Sequence, residues 1–168
     1  MAEHSPSDSL LEACRSSLDA VIRDSRQQAQ ALEALLASEQ TALRDQDSEA
    51  LEIVAAKKLD CVTTLDALEN TRRGIATDAG FAADPTGMND LIAWCDQGDA
   101  LHDEWTALLA VARRCEQQNR SNGAVSHVRA QQIRAALAIL SGNPDATHIY
   151  SPSGIAAGGN DHREIARA

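Results

Sequence analysis

Residues 32–58 read LEALLASEQTALRDQDSEALEIVAAKK, two apolar-periodic runs separated by a short polar stretch. Before that stretch Leu32, Leu36, Glu39 and Leu43 recur at steps of three and four; after it Leu51, Val54 and Lys58 do the same, the period of one helix face. Arg44, Asp45, Gln46, Asp47 and Ser48 supply the acidic and hydroxyl groups that end one helix and cap the next, with Glu49 well placed in the new first turn. The spacing predicts two helices folded back on each other as an antiparallel hairpin.

The same pattern extends outward in both directions. Upstream, Leu11, Cys14, Leu18, Ile22, Ser25 and Ala29 continue the first stripe. Downstream, Cys61, Leu65, Leu68, Arg72 and Ile75 continue the second. Proline occurs only at 6, 85, 144 and 152, and no glycine precedes Gly74, so both tracts lack the strongest helix breakers. Helices are expected over about 8–45 and 48–75.

Asp84 followed by Pro85 reads as an N-cap with proline at the first helical position. A third stripe follows through Leu91, Trp94 or Cys95, Leu101, Trp105, Leu108, Ala112, Cys115, Asn119, Asn122, Ser126, Arg129, Ile133, Leu137 and Leu140. Its phase survives Gly98 and Gly123, because a glycine weakens a helix without moving its register. One long third helix is therefore expected over about 85–141, overhanging the shorter hairpin. Beyond Gly142, Asn143 and Pro144 the composition turns to Gly, Ser, Asn and Pro, which predicts a flexible tail at 143–168 behind a helical bundle at 1–142.

Composition agrees with this reading. Among 168 residues there are 1 Phe, 1 Tyr and 2 Trp, and the 43% hydrophobic fraction is carried by Ala and Leu, which suits helix-on-helix packing and excludes a β-sandwich or barrel core. The expected fold class is all-α: an elongated antiparallel bundle, a coiled-coil hairpin plus a long third helix.

Charge is unevenly spread. The formal net charge is -10, which disfavours duplex DNA and anionic bilayers as partners. Residues 1–116 carry 10 basic and 22 acidic side chains, whereas 117–144 hold Arg120, Arg129 and Arg134 and no acid. Along that basic segment Val125, Val128, Ile133, Leu137, Ile139 and Leu140 form an apolar face. Two readings of it are open: it receives an amphipathic helix of another protein, or it packs on helices one and two. No apolar run approaches membrane-spanning length and residues 1–6 lack a signal-peptide pattern, so a soluble, cytoplasmic protein without membrane insertion is expected.

Chemistry-bearing patterns are sparse. Cys14, Cys61, Cys95 and Cys115 are too far apart in sequence for a thiolate metal pair, and three of them fall on the apolar stripes, where a thiol acts as a small hydrophobe. No histidine has Glu three residues before it, so the di-metal signature of helical bundles is missing. Glu49 with Glu52 resembles the acidic pair of all-α, magnesium-dependent nucleotide pyrophosphatases, whereas Asp66 with Glu69 has the second pair reversed. Both pairs lie on one expected helix, and a solvated acidic face accounts for them better. No catalytic residue, metal site or cofactor is assigned.

Three charges sit on the stripes of the first two helices: Glu39, Lys58 and Arg72. Counting outward from the turn near Gln46 places Glu39 within about one helical turn of Lys57 or Lys58, so an ion pair there would fix the hairpin register. The alternative is that these long side chains reach out to water.

Leu35-Leu36-Ala37-Ser38-Glu39-Gln40-Thr41-Ala42-Leu43, then Leu51 through Lys58 and Leu65 through Arg73, resemble the hairpin of FlgN-type flagellar export chaperones. Trp105, Leu108, Leu109, Cys115, the run Asn119-Arg120-Ser121-Asn122-Gly123, the stretch to Leu140-Ser141-Gly142, and Thr147-His148-Ile149-Tyr150 with Gly154 follow in the same order. The sequence departs from the family pattern at Ser151-Pro152 and between Gly74 and Met88.

The resemblance implies a non-enzymatic cytoplasmic chaperone. It would bind the amphipathic terminal helices of hook-filament junction proteins, prevent their premature assembly and bring them to the cytoplasmic domain of the flagellar type III export gate. It assigns substrate-protein binding to Asn119, Asn122, Gly123, Val125, Val128, Arg129, Ile133, Leu137 and Leu140, and gate docking to Tyr150 and Gly154. A structural coiled-coil protein that self-associates through the C-terminal helix is the competing reading.

Overall fold

The computed structural model describes residues 6–96 and 98–140, with side chains over 9–96 and 98–137. The expected tail at 143–168, including Tyr150 and Gly154, lies outside the described residues. The order of elements is α1 (Pro6–Asp45), α2 (Ser48–Asp78), α3 (Pro85–Cys95) and α4 (Ala100–Leu140), with no strand among the described residues. The all-α bundle and the α1–α2 hairpin are as the periodicity requires. The chain divides into two units, 1–124 and 125–168. The first holds α1, α2, α3 and α4 up to residue 124; the described part of the second is the remainder of α4.

Each helix end in the first unit has a local cause. Gln46 adopts φ 60°, which lets the Asp47 N–H donate back to the Ala42 carbonyl at 3.0 Å and close α1. Asp47 then caps α2, its side chain accepting from the Ala50 N–H at 3.0 Å. At the far end of α2, Gly80 at φ 85° allows Phe81 N–H to reach the Ala76 carbonyl at 2.9 Å, while Gly80 N–H reaches Thr77 at 3.0 Å. That pair of bonds satisfies carbonyls the helix leaves open and turns the chain toward α3. Asp84 caps α3 through the Gly87 N–H at 2.8 Å, with Pro85 at the first position.

The expected single helix over 85–141 is two helices. Asp96 leaves the helical region at φ -112°, ψ 103°, and Asp99 takes φ 57°. The Asp96 carboxylate accepts from the backbone N–H groups of Leu101 at 2.7 Å, His102 at 3.3 Å and Gly98 at 3.4 Å. The hydrophobic phase carries across because Leu91, Cys95, Leu101 and Trp105 are all buried in one cluster. Periodicity alone therefore runs straight through a break made by a side-chain cap.

The core follows from these turns. Leu18, Val21 and Ile22 of α1, Ala76 of α2, Met88, Leu91 and Ile92 of α3, and Leu101 and Trp105 of α4 form the main cluster. A second cluster of Ala29, Leu36, Val111 and Cys115 continues it along α1 and α4. Arg72, on the stripe of α2, is pinned rather than solvated. Its guanidinium lies 5.4 Å over the Trp105 ring and pairs with both oxygens of Glu69 at 2.7 and 2.8 Å.

Candidate partner-binding site

Two features are candidates, each within its own unit: a polar layer in the first and an apolar helical face in the second. In the layer, Lys58 of α2 donates to both carboxylate oxygens of Glu39 on α1 at 2.9 Å. Asn122 of α4 is 2% exposed and donates through Nδ2 to the Leu36 carbonyl and to Glu39 Oε2, both at 2.8 Å. Asn119, exposed one turn earlier, accepts a long bond from Lys58 at 3.4 Å. One carboxylate thus joins three helices, and the charged seam residues satisfy one another.

The layer fixes direction as well as register. Glu39 meeting Lys58 holds α2 antiparallel to α1. Arg26 with Glu104 at 3.0 Å, Arg114 with Glu33 at 2.7 Å, and Asn122 with Leu36 run in the same order along both chains, so α4 lies parallel to α1 over this unit. At the other end of the bundle, Arg15 Nε approaches Asp96 Oδ1 at 3.5 Å. Burial would raise the Asp96 carboxyl, but the Leu101, Gly98 and His102 N–H groups, with Arg15, outweigh it and hold it below the usual carboxylate range.

In the second unit, Val125, Val128, Ile133 and Leu137 are 41%, 52%, 61% and 59% exposed. At roughly 100° per residue they fall within about half of the helix circumference. The described helix here carries Arg129 and Arg134 and no acid. Four aliphatic side chains with that exposure on one side form a strip that a monomeric surface rarely offers without a use.

Of the residues assigned from sequence, Asn119, Gly123, Val125, Val128, Ile133 and Leu137 are exposed, and Arg129 is half-buried. Asn122 is enclosed, and its amide ties α4 to α1 instead of facing a partner. The Leu140 side chain, Tyr150 and Gly154 lie outside the described residues.

Other candidate chemistry is accounted for. Arg72, first, and then Arg73 hold the Glu69 carboxyl below its ordinary range against burial, which commits that acid to arginine. Among the described residues no group of three His, Cys, Asp or Glu side chains could hold a metal ion. Cys61, Cys95 and Cys115 are buried free thiols and Cys14 is half-buried; burial, foremost, pushes Cys95 up to about 11. Cys61 and Cys115 donate weakly to the Gln28 and Ala29 carbonyls at 3.2 and 3.3 Å. No helix among the described residues is long and apolar enough to cross a membrane.

The sequence pattern left three features unseen: the Asp96 cap, the Arg72–Trp105 stack, and an exposed notch lined by Leu10 and Trp94 among others. The alternation between Trp94 and Cys95 as the stripe residue was the available signal for the last. Cys95 is the buried one, and Trp94 is 46% exposed.

A family model described as FlgN protein matches residues 10–158. No curated protein and no solved structure matches the chain.

Proposed function

Because the chain belongs to the FlgN family, whose members are non-enzymatic cytoplasmic export chaperones for the flagellar hook-associated proteins, we propose that residues 125–140 of α4 are its substrate-binding helix. The observation that carries this is the exposed strip of Val125, Val128, Ile133 and Leu137 on an acid-free, arginine-bearing helix.

An amphipathic terminal helix of a hook-filament junction protein docks along the strip, its own aliphatic residues taking the place of water. Arg129 and Arg134 favour acidic residues beside those anchors and set orientation more than strength. Asn119 and Gly123 contribute contacts of their own from the first unit, where Asn122 holds α4 in register on α1. Covering the partner's helix keeps it from assembling early. Tyr150 with Gly154 then docks the loaded chaperone on the cytoplasmic domain of the export gate.

The test is co-purification of the full chain with a hook-filament junction protein, repeated with Val128→Asp, Ile133→Asp and Leu137→Asp combined. The complex is expected to be lost while thermal unfolding is unchanged. Retained binding would remove the assignment. Concentration-dependent dimers of the chain with no junction-protein complex would favour the self-associating coiled-coil reading.

A further inference from the structure

At the end of the bundle away from the α1–α2 turn lies an apolar notch of about 440 Å3. It is lined by Leu10, Ala13 and Cys14 of α1, Ile75 and Asp78 of α2, and Trp94 of α3, among others. Leu10 is 70% exposed and Trp94 46%, so the notch opens to solvent instead of enclosing a small molecule. Trp94 is held in place by Phe81, whose ring lies 5.7 Å away at a 47° tilt. A rigid, half-exposed tryptophan beside an exposed leucine is the composition of a protein-binding anchor, since tryptophan dominates the residues that carry interface energy.

The charge around the notch selects the occupant. Among the described residues Asp78 is the one charged residue in the lining, and Asp90 stands one turn before Trp94 on α3. Neither forms an ion pair among the described residues. Asp78 also occupies the last turn of α2, which contains no basic residue, so its carboxylate adds to the negative end of the helix dipole where stability alone would favour a cation. No cation is among the described lining residues, and Arg15 is paired with Asp96 and Arg72 and Arg73 with Glu69.

We propose that this notch is a second protein-docking surface, which takes an amphipathic helix bearing lysine or arginine beside its aliphatic anchors. Its charge preference is opposite to that of the strip at 125–140. The two surfaces belong to different units and share no residue. A leucine of the partner enters between Leu10, Ile75 and Trp94, and cationic side chains at its flanks meet Asp78 and Asp90. The proposal does not depend on the strip being the substrate site.

The test titrates the full chain, observed residue by residue through its backbone amide resonances, with a leucine-lysine amphipathic helical peptide and with the same peptide carrying glutamate for lysine. The lysine peptide is expected to shift Leu10, Cys14, Ile75 and Trp94 together. The glutamate peptide should leave them unmoved, and Trp94→Ala or Asp78→Asn combined with Asp90→Asn should weaken binding at least tenfold. Both variants change exposed side chains and should keep the parent spectrum elsewhere. Junction-protein binding should be unchanged in both.

Three results would overturn the proposal. One is lysine-peptide shifts scattered over the acidic surface and insensitive to Trp94→Ala. Another is a dimer of the chain lost on Trp94→Ala, which would make a second copy the occupant. The last is contact of residues 1–5 with Trp94 that persists in the presence of the peptide.

Discussion

Glu39 and Asn122, 83 positions apart, meet at 2.8 Å, and the same carboxylate receives Lys58 at 2.9 Å. A charge at a helical seam is costly unless paired, and a buried amide is costly unless bonded; here one acid meets both needs. Within the first unit the layer therefore anchors α4 to α1.

Asn122→Ala should therefore cost about 1–3 kcal/mol, because the enclosed Leu36 carbonyl and Glu39 both lose the Asn122 amide as a donor, leaving Glu39 with Lys58. For a chain of this size that is roughly 2–4 °C in Tm for each kcal/mol. Glu39→Leu combined with Lys58→Met should be closer to the parent than either single change, since each single leaves a partly buried charge without its partner. Differential scanning calorimetry of the four variants measures both. A double variant as damaged as the sum of the singles would show that Glu39 and Lys58 are not energetically coupled.

Asp96 makes stability depend on pH in a stated direction. Its folded carboxyl lies below the ordinary range, so the stabilisation is complete above the unfolded value of about 3.9 and is lost as pH falls through the folded value. Glu33, held down first by its Arg114 hydrogen bond, and Glu69 titrate in the same window. Comparison with Asp96→Asn separates them. At pH 7 the variant should be less stable to urea by about 0.3–1 kcal/mol, because the amide keeps an acceptor oxygen but lacks the charge, and the gap should narrow toward pH 3. A gap that stays constant with pH would mean the carboxylate charge plays no part.

Gly87 and Gly123 should respond oppositely to alanine. A Cβ on Gly87 would sit 2.2 Å from the Ala82 carbonyl oxygen, backbone that cannot move aside, so Gly87→Ala is expected to cost about 1–3 kcal/mol. A Cβ on Gly123 meets nothing within 4 Å, and the residue lies inside α4. Gly123→Ala should therefore add about 0.5–1 kcal/mol of helix stability. Thermal unfolding of the two variants gives the signs directly.

These cases show what a sequence can disclose about this fold. The hairpin was readable because Leu, Ala and Ile recur at helical steps on both sides of Asp45-Gln46-Asp47, and a period is a local property. Glu39 opposite Lys58 was readable because a turn fixes the distance between positions counted outward from it. The break at Asp96 was not, since a carboxylate bonding five residues ahead leaves the apolar phase intact. Asn122 was legible as a polar seam residue, but whether its amide faced a partner or α1 depends on where Leu36 and Glu39 lie in three dimensions. The notch escaped for the same reason: Leu10, Ile75 and Trp94 are distant in sequence and line one notch only because the turn at Gln46 returns α2 along α1 and the turn at Gly80 brings α3 back.

Arg134 offers a test of the proposed strip that leaves its apolar residues untouched. It is exposed on the described helix, and its segment holds no acid, so Arg134→Glu reverses the local charge without opening the core. If acidic groups on the partner helix approach this side, the substitution should slow association with the junction protein several-fold, with a smaller effect on dissociation, because exposed charges act chiefly during encounter. The difference from the parent should shrink as salt rises to 0.5 M, where screening reaches only a few ångströms. Ile133→Asp should do the reverse, raising the dissociation rate at every salt concentration by removing buried contact. Stopped-flow association at several ionic strengths distinguishes the two. An Arg134→Glu chain that associates as fast as the parent at low salt would leave the strip without electrostatic selectivity, and the acidic character assigned to the partner would have to be withdrawn.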